Sequence, residues 1–525
     1  MRRFLLVALT LVAIAALTGL AIAKPKSQEG FTTSVKPYAV GLAGWDTRAL
    51  LSANDVVPET GGGSAQYRMV GIPDGLGVLR KGKTVRVFMT HEITKSATGD
   101  LSEPRVGQSK QRGAFASEWI LNKKGEVISG RRAFDNVYQD NTLVGPAAQA
   151  DNTTPAFSRW CSAFLATGRV GFDRPIFMVN EETGPPSSGP TQTFDPKGSQ
   201  SVAIFNNEAH ALSKLGHFPK ENTVVMRGTG NRTVILTTED GPRTPDSQLY
   251  LYIGHKDRTS DNVLRRNGLD NGKLYAFASD DARDNENQLL QGDSMHGTWK
   301  EIVGADSLTD VQTEAAADAA GAFGFVRIED GEFKPNKKRE FWFDTTGDQQ
   351  ARDESDPTTN ELGRLYRLRF DKRDPLKGAT VTQVYNADQL TSAQDGPLSP
   401  DNVTVTKRYI FVNEDGTGGG APGGTGSRDD IEARNRDGSI WRVPLATAGD
   451  PSTFTRVGEL IGRSEGGRDG IKTTSAIWET SGIVGARHAF GKNTFLFDVQ
   501  AHPPTTAPGG TDVTVEDGQL LLLHK

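Results

Sequence analysis

A chain of 525 residues is too long for one ordinary domain unless it forms a large repeat or barrel. Its 60 basic and 65 acidic residues leave a formal charge of −5, which argues against nucleic acid as a partner. The single cysteine, Cys161, excludes an intrachain disulfide, so an exported chain of this kind must rely on its core or on bound metal.

The chain opens with MRRFLLVALTLVAIAALTGLAIAK, a basic start, an apolar stretch and the A-x-A site Ala21-Ile22-Ala23. This reads as a signal peptide over residues 1–23, with residues 24–525 exported to the periplasm or beyond. An uncleaved anchor over Phe4 to Ala23 is the alternative. The Arg2-Arg3 pair leaves both the general and the twin-arginine export routes open. No later apolar run is long enough to span a membrane.

Short β-rich runs follow in order: TVRVFMTHE, PIFMVNEE, RTVILTTEDG, QLYLYIGHK, KREFWFDTTG, YIFVNEDG and NTFLFDVQAH. Gly, Asn, Asp or Pro bounds each of them. Only TEAAADAAG (Thr313 to Gly321) reads as a helix. A weak internal repeat, a turn glycine, one residue, Leu or Ile and then usually an aromatic, occurs in NGKLYAF, LGRLYRLRF, DGSIWRV and DGQLLLL, with SQLYLYIG as a relative. Together these predict an all-β chain, a single-domain β-propeller, with paired β-sandwiches as the alternative. The glycine-rich stretch Gly416 to Asp430 and the polar stretch Asp344 to Glu361 are expected to be loops within that domain.

Carboxylates punctuate the strand ends. Glu92 closes FMTHE, Glu181 and Glu182 close FMVNEE, and Glu239 and Asp240 close ILTTEDG. Glu329 and Asp330 close FVRIEDG, Glu414 and Asp415 close FVNEDG, and Asp401 precedes VTV. Propeller loops on one rim converge, and clustered carboxylates repel unless a cation such as Ca²⁺ holds them. The competing reading is that E-D-G is a hairpin turn. The eight histidines lack zinc-site spacing. His91 is either a donor near the site or a satisfied structural group. Cys161, between Trp160 and Ser162, reads as a small buried hydrophobe rather than a nucleophile.

In order along the chain, PDGLGV, THE, FMVNEET, LGHFPKENTVV, TTEDGP, AADAAGAFGFVRIEDGEF, SPDNVTV, FVNEDG, WETSG and FDVQAHP resemble the PhoX-type alkaline phosphatases and related exported phytase-like bacterial propellers. The resemblance implies a six-bladed propeller with a metal cluster at its channel mouth that hydrolyses phosphate esters. It implies metal roles for Glu181 and Glu182, for Glu221, for Asp240, for Glu329, and for Asp401, Glu414 and Asp415 in a calcium-binding part. Arg327 would hold phosphate; the reading of the residues themselves adds His91 as a second candidate for a catalytic role. Three positions depart from the family pattern: Asn180 stands for its cysteine, Lys220 for a histidine and Ile328 for a proline. An amide does not replace a thiolate on ferric iron, so the resemblance as modified implies Ca²⁺ rather than iron. The chain is expected to be a monomer whose partner is a small phosphorylated substrate, without nucleic acid and without membrane beyond an uncleaved anchor. A non-catalytic calcium-binding propeller and a lactonase-like hydrolase remain alternatives. A lactonase would require an apolar acyl pocket instead of phosphate clamps.

Overall fold

The computed structural model describes residues 29–95, 101–183, 193–241, 245–348, 358–415, 427–462 (side chains from 429), 464–465, 478–502 and 513–525. The segment expected to be a signal peptide and much of the two expected loops therefore lie outside the described residues.

The strands sort into six antiparallel four-stranded runs among the described residues. The first comprises Pro73–Lys81, Thr84–His91, Phe115–Asn122 and Val127–Arg132. The second is Trp160–Ala166, Ile176–Glu181, Ser201–Phe205 and Glu208–Leu212. Asn136–Gln139 adds to it in parallel, followed by Thr142–Pro146. The third is Thr223–Val225, Arg232–Thr238, Leu249–His255 and Lys273–Ser279, and the fourth is Ile328–Phe333, Glu340–Thr345, Arg364–Phe370 and Ala379–Asn386. Strand Ser294–Ile302 joins their outer edges, so these two runs make one nine-stranded sheet. The fifth is Pro400–Val405, Tyr409–Glu414, Ser439–Pro444 and Thr455–Leu460. The sixth is Trp478–Gly485, Thr494–Ala501 and Asp517–His524, completed by the early strand Asp46–Ser52. Pairing an early strand with the last one closes the circle. The first strands of successive runs pack side by side around the centre, with Pro73–Lys81 contacting both Trp160–Ala166 and Trp478–Gly485. This is a β-propeller, as the strand pattern predicts.

The second strands explain why the sequence reads as apolar blocks. Each is sandwiched between two neighbouring blades, so both of its faces are buried. Phe341 and Phe343 enter the core shared with Val234, Leu236 and Leu251, whereas the intervening Trp342 packs with Ile410, Val412 and Trp441 on the other side. Phe495 and Phe497 face Phe411 and Ile440, while Leu496 faces Val87 and Trp119. The G-x-[LI]-aromatic repeat marks the third strand in the third to sixth runs. The exception is NGKLYAF, which forms the fourth strand of the third run, so the repeat counts blades unevenly.

The predicted helix is present as Asp310–Ala319, with Thr309 and Gln312 forming a capping box. Short helices at Val263–Asn267, Ser427–Ala433 and Arg487–Phe490 escape the sequence pattern because they are one or two turns long. No helix among the described residues is long and apolar enough to cross a membrane.

Candidate metal centre

Most of the first strands carry an irregularity near their start, where they pair with the end of the second strand. The register shifts between Pro73 and Leu76, Trp160 and Ala163, Ile328 and Gly331, Pro400 and Val403, and Ser481 and Ile483. A bulge bends a strand and re-aims its side chains. Here it turns Asp74, Cys161, Glu329 and Asp401 toward the centre. The residues leading into four of these strands hold positive φ: Ile72 at 51°, Arg159 at 46°, Arg327 at 55° and Ser399 at 42°. For a β-branched residue such as Ile72 this is a strained conformation, and strain of this kind collects at functional sites.

The starts of the first strands are pinned from the preceding blade. Thr90 Oγ1 donates to the Cys161 carbonyl at 2.9 Å, Asn180 Nδ2 to the Glu221 carbonyl at 3.2 Å, and Asn413 Nδ2 to the Ser481 carbonyl at 3.1 Å. All three donors occupy the same place near the end of a second strand. Asn180 is fully used by this role, since its Oδ1 also accepts from Thr223 Oγ1 at 2.6 Å. Lys220 likewise braces the backbone: its buried ammonium donates to the carbonyls of Ser199, Gly216 and Phe218 and so fixes the turn that presents Glu221.

At the centre, three groups of ligand-type atoms, each with its members within 4.8 Å of one another, link into a chain: Asp74, Glu92 and Cys161; Cys161, Glu182 and Glu221; Glu221, Glu329 and Asp401. Cys161 Sγ lies 3.0 Å from Asp74 Oδ2. Gln500 Nε2 donates to Asp74 Oδ2 at 3.2 Å and to Glu92 Oε2 at 2.8 Å. Glu479 adjoins Asp415 at the sixth-blade side. Two guanidiniums flank the cluster. Arg159 binds Glu92 at 2.7 Å and Glu182 at 2.9 Å, and remains 43% exposed. Arg327 donates to both oxygens of Asp240, at 2.7 and 2.9 Å, and to Glu329 at 3.0 Å.

Two arginines cannot balance Asp74, Glu92, Glu182, Glu221, Asp240, Glu329, Asp401, Asp415 and Glu479. Burial, reinforced by the Glu92 charge, raises the Asp74 carboxyl to about 7. Burial and mutual repulsion push Glu182, Glu221, Glu329, Asp401 and Glu479 well above the usual carboxylate range. Burial, then the Asp74 and Glu221 charges, does the same to the Cys161 thiol. Asp240 instead moves down, because Arg327 overcomes its burial. Asp74 Oδ1, Glu221 Oε2 and Asn402 Oδ1 are buried without hydrogen-bond partners. Orphaned acceptors among crowded, desolvated acids fit multivalent cations, which would satisfy the oxygens and draw off the protons. A thiol within the same set adds a soft ligand suited to iron-class ions.

Of the residues expected from sequence, Glu182, Glu221, Glu329 and Asp401 are brought together, with Asp240 and Arg327 beside them and Asp415 at the rim. Glu181 points elsewhere: its carboxylate accepts from the backbone N–H groups of Ser158, Phe194 and Gln200 at 3.1, 3.0 and 3.4 Å. Glu414 is bound by Arg436 through both oxygens, at 2.6 and 2.8 Å, and caps the N–H groups of Leu398 and Ser439. His91 is a satisfied core histidine, with Nδ1 at Gly71 O, Nε2 at Ser117 Oγ and its ring stacked on Phe115. Burial lowers it to about 4, so it stays neutral. Cys161 is buried, as expected, and its sulfur also belongs to two of the three groups, so a thiol from a different strand stands among the ligand-type atoms where Asn180 offers none. Asp74, Arg159, Glu479 and Gln500 were not singled out from sequence. The signal available for the first two was position, at or just before the start of a first strand.

The Glu414–Arg436 pair is expected to serve stability alone. Glu414→Ala leaves a buried arginine unpaired and should cost about 3–5 kcal/mol of unfolding free energy. Denaturant melts would show this, while metal per folded chain stays at the unmodified level.

The family model described as alkaline phosphatase PhoX matches residues 200–500. Among solved structures, Pseudomonas fluorescens PhoX in complex with vanadate, a transition state analogue, superposes with a TM-score of 0.62 at 15% identity, covering 95% of this chain and 97% of that one. A RAG complex with one melted and one unmelted RSS reaches a TM-score of only 0.23 at 11% identity, covering 71% of this chain and 97% of that one. No curated protein matches the sequence.

Proposed function

Because this chain belongs to the PhoX alkaline phosphatase family, and so to the phosphoric monoester hydrolases, we propose that it hydrolyses small phosphate monoesters at the cluster centred on Cys161, Glu221 and Asp401. The observation that carries this reading is the convergence of one buried thiol and carboxylates from every blade, with a guanidinium on either side. Asp74, Glu92, Cys161, Glu182 and Glu221 would hold a thiophilic, iron-class ion. The oxygen-only group Glu221, Glu329 and Asp401, with Asp415 and Glu479 nearby, suits Ca²⁺. Bound cations would neutralise phosphate oxygens and lower the pKa of water at neutral pH.

The chain's own residues position the substrate. Arg327 presents a planar fork and Arg159 a second one, both suited to phosphate oxygens. Asp240 fixes the Arg327 fork before substrate arrives, so little side-chain entropy is lost on binding. Glu92 and Glu182 do the same for Arg159. A lactonase-like reaction finds no such support, since the groups that flank the cluster among the described residues are charged.

Arg327→Ala is expected to lower kcat/KM for a phosphomonoester by about 10²–10³-fold, the usual loss for one preorganised donor. Arg327→Lys should recover only part of it, because the ammonium lacks the fork. Inhibition by inorganic phosphate should weaken in parallel. Unchanged phosphate inhibition in Arg327→Ala would sink the clamp role and leave Arg327 as a partner of Asp240 alone.

The N-terminal pattern supports export after cleavage behind Ala23. The mature protein should begin at Lys24 by intact-mass measurement, and a retained leader would refute the cleavage.

A further inference from the structure

A second carboxylate group lies apart from the phosphatase centre and is independent of that reading. Asp246, at the entry to strand Leu249–His255, meets Glu314 and Asp318 from helix Asp310–Ala319, and their oxygens fall within 4.8 Å of one another. Glu239 joins them: it lies within hydrogen-bonding reach of Glu314, as Asp246 does of Asp318. Carboxylates in contact require either shared protons or a cation. Helix geometry sharpens the conflict, because Glu314 and Asp318 are like charges at i,i+4 and Asp318 sits in the last turn, at the negative end of the helix dipole. The neighbouring ammonium, Lys220, is committed to three backbone carbonyls.

Two buried polar groups point to a ligand. Gln248 is 1% exposed and brings its amide to the cluster, where Nε2 donates to the Asp246 carbonyl at 3.0 Å and lies 3.5 Å from both Asp246 Oδ1 and Glu314 Oε1. Its Oε1 has no partner; a half-turn of the amide would give up the bond to the Asp246 carbonyl and set Oε1 among these oxygens, an arrangement that a cation would hold together. Tyr250 is fully buried, its hydroxyl has no partner, and its charged neighbours are Glu239, Glu314, Asp318 and Asp246.

We propose that Asp246, Glu314, Asp318 and Glu239, with the Gln248 amide oxygen, form a second site for a hard divalent cation of the Ca²⁺ class. The all-oxygen set suits such an ion, and the exposed side at Asp318 leaves room for water ligands. Glu239 and Asp240 are adjacent where strand Arg232–Thr238 ends. One faces this site, and the other holds Arg327. The cation therefore ties the helix to the segment that orients the phosphate-facing arginine.

Equilibrium dialysis with Ca²⁺ on the metal-replete protein provides the test, comparing the unmodified chain with a Glu314→Gln, Asp318→Asn double variant. The variant is expected to bind one Ca²⁺ fewer per chain, to keep the metal held around Cys161, and to lose the Ca²⁺-dependent part of the rise in melting midpoint. Equal Ca²⁺ stoichiometry in the two proteins would overturn the site. So would a variant that melts higher than the unmodified chain regardless of Ca²⁺, because the acids then share only protons. Tb³⁺ gives a second readout: the Tyr250→Phe variant should keep its Ca²⁺ stoichiometry and lose most tyrosine-sensitised Tb³⁺ emission that the double variant also lacks. Undiminished emission in Tyr250→Phe would contradict the placement of the ion.

Discussion

Cys161→Ser is expected to cut phosphomonoester turnover by about 100-fold or more, with loss of the metal bound near Asp74 and Glu182. The side chain is nearly isosteric, so packing alone predicts little change. What serine removes is the soft ligand. The thiol belongs to two of the three linked groups, and its sulfur sits 3.0 Å from Asp74. Its pKa is pushed up by burial and by the surrounding carboxylates, so without metal it is a neutral thiol. A bound ion would reverse that order by stabilising the thiolate. Absorption bands from sulfur-to-metal charge transfer should vanish in the variant. A serine variant with full metal content and full turnover would return Cys161 to the role of core filler.

Glu221→Gln should be as damaging to function, again by about 100-fold or more, because Glu221 alone links the thiol group to the oxygen-only group. The amide keeps the shape and the hydrogen bond from the Ser162 N–H to Oε1. It loses the charge that both ions would share. Stability should move the other way once metal is stripped. In the metal-free state Glu221 is a buried carboxyl with an unpartnered Oε2 and a strongly raised pKa, so folding near neutral pH must protonate it, a cost that neutral glutamine removes. The same physics gives a pH dependence. Carboxyls raised in the folded state, such as Asp74 and Glu332 at about 7 and Asp330 at about 6, bind protons more tightly there than in the unfolded chain. Their contribution is complete below the ordinary carboxylate pKa and is lost as pH rises through about 7. The melting midpoint of stripped protein should therefore fall between pH 5 and pH 8, while that of the loaded protein stays flatter. A stripped protein that gains stability over that range would contradict the arrangement.

The architecture was legible because second strands such as KREFWFDTTG and NTFLFDVQAH are apolar on both faces, as buried propeller strands must be. Among the strand-end carboxylates, Glu182, Glu329 and Asp401 do converge, linked through Glu221. The alternation of a strand explains the misses. Glu181 and Glu182 are adjacent, so one must turn away, and the sequence does not say which. Glu414 and Asp415 pose the same choice, and Arg436, more than twenty positions on, claims Glu414. Cys161 was hidden by its neighbours: among Trp160, Phe164 and Leu165 it reads as core. Only the bulge between Trp160 and Ala163 turns it inward, and a bulge leaves little trace in composition. Arg159 was legible in principle as the counterpart of Arg327, one residue ahead of a first strand.

The most direct test of the metal-centre account is phosphomonoester turnover measured against metal bound per chain, as one sample is stripped by a chelator and then refilled. The expected result is turnover that falls to background as the cluster empties and returns in proportion to the metal restored. Turnover that persists at the unmodified rate in a chain holding no metal would contradict it.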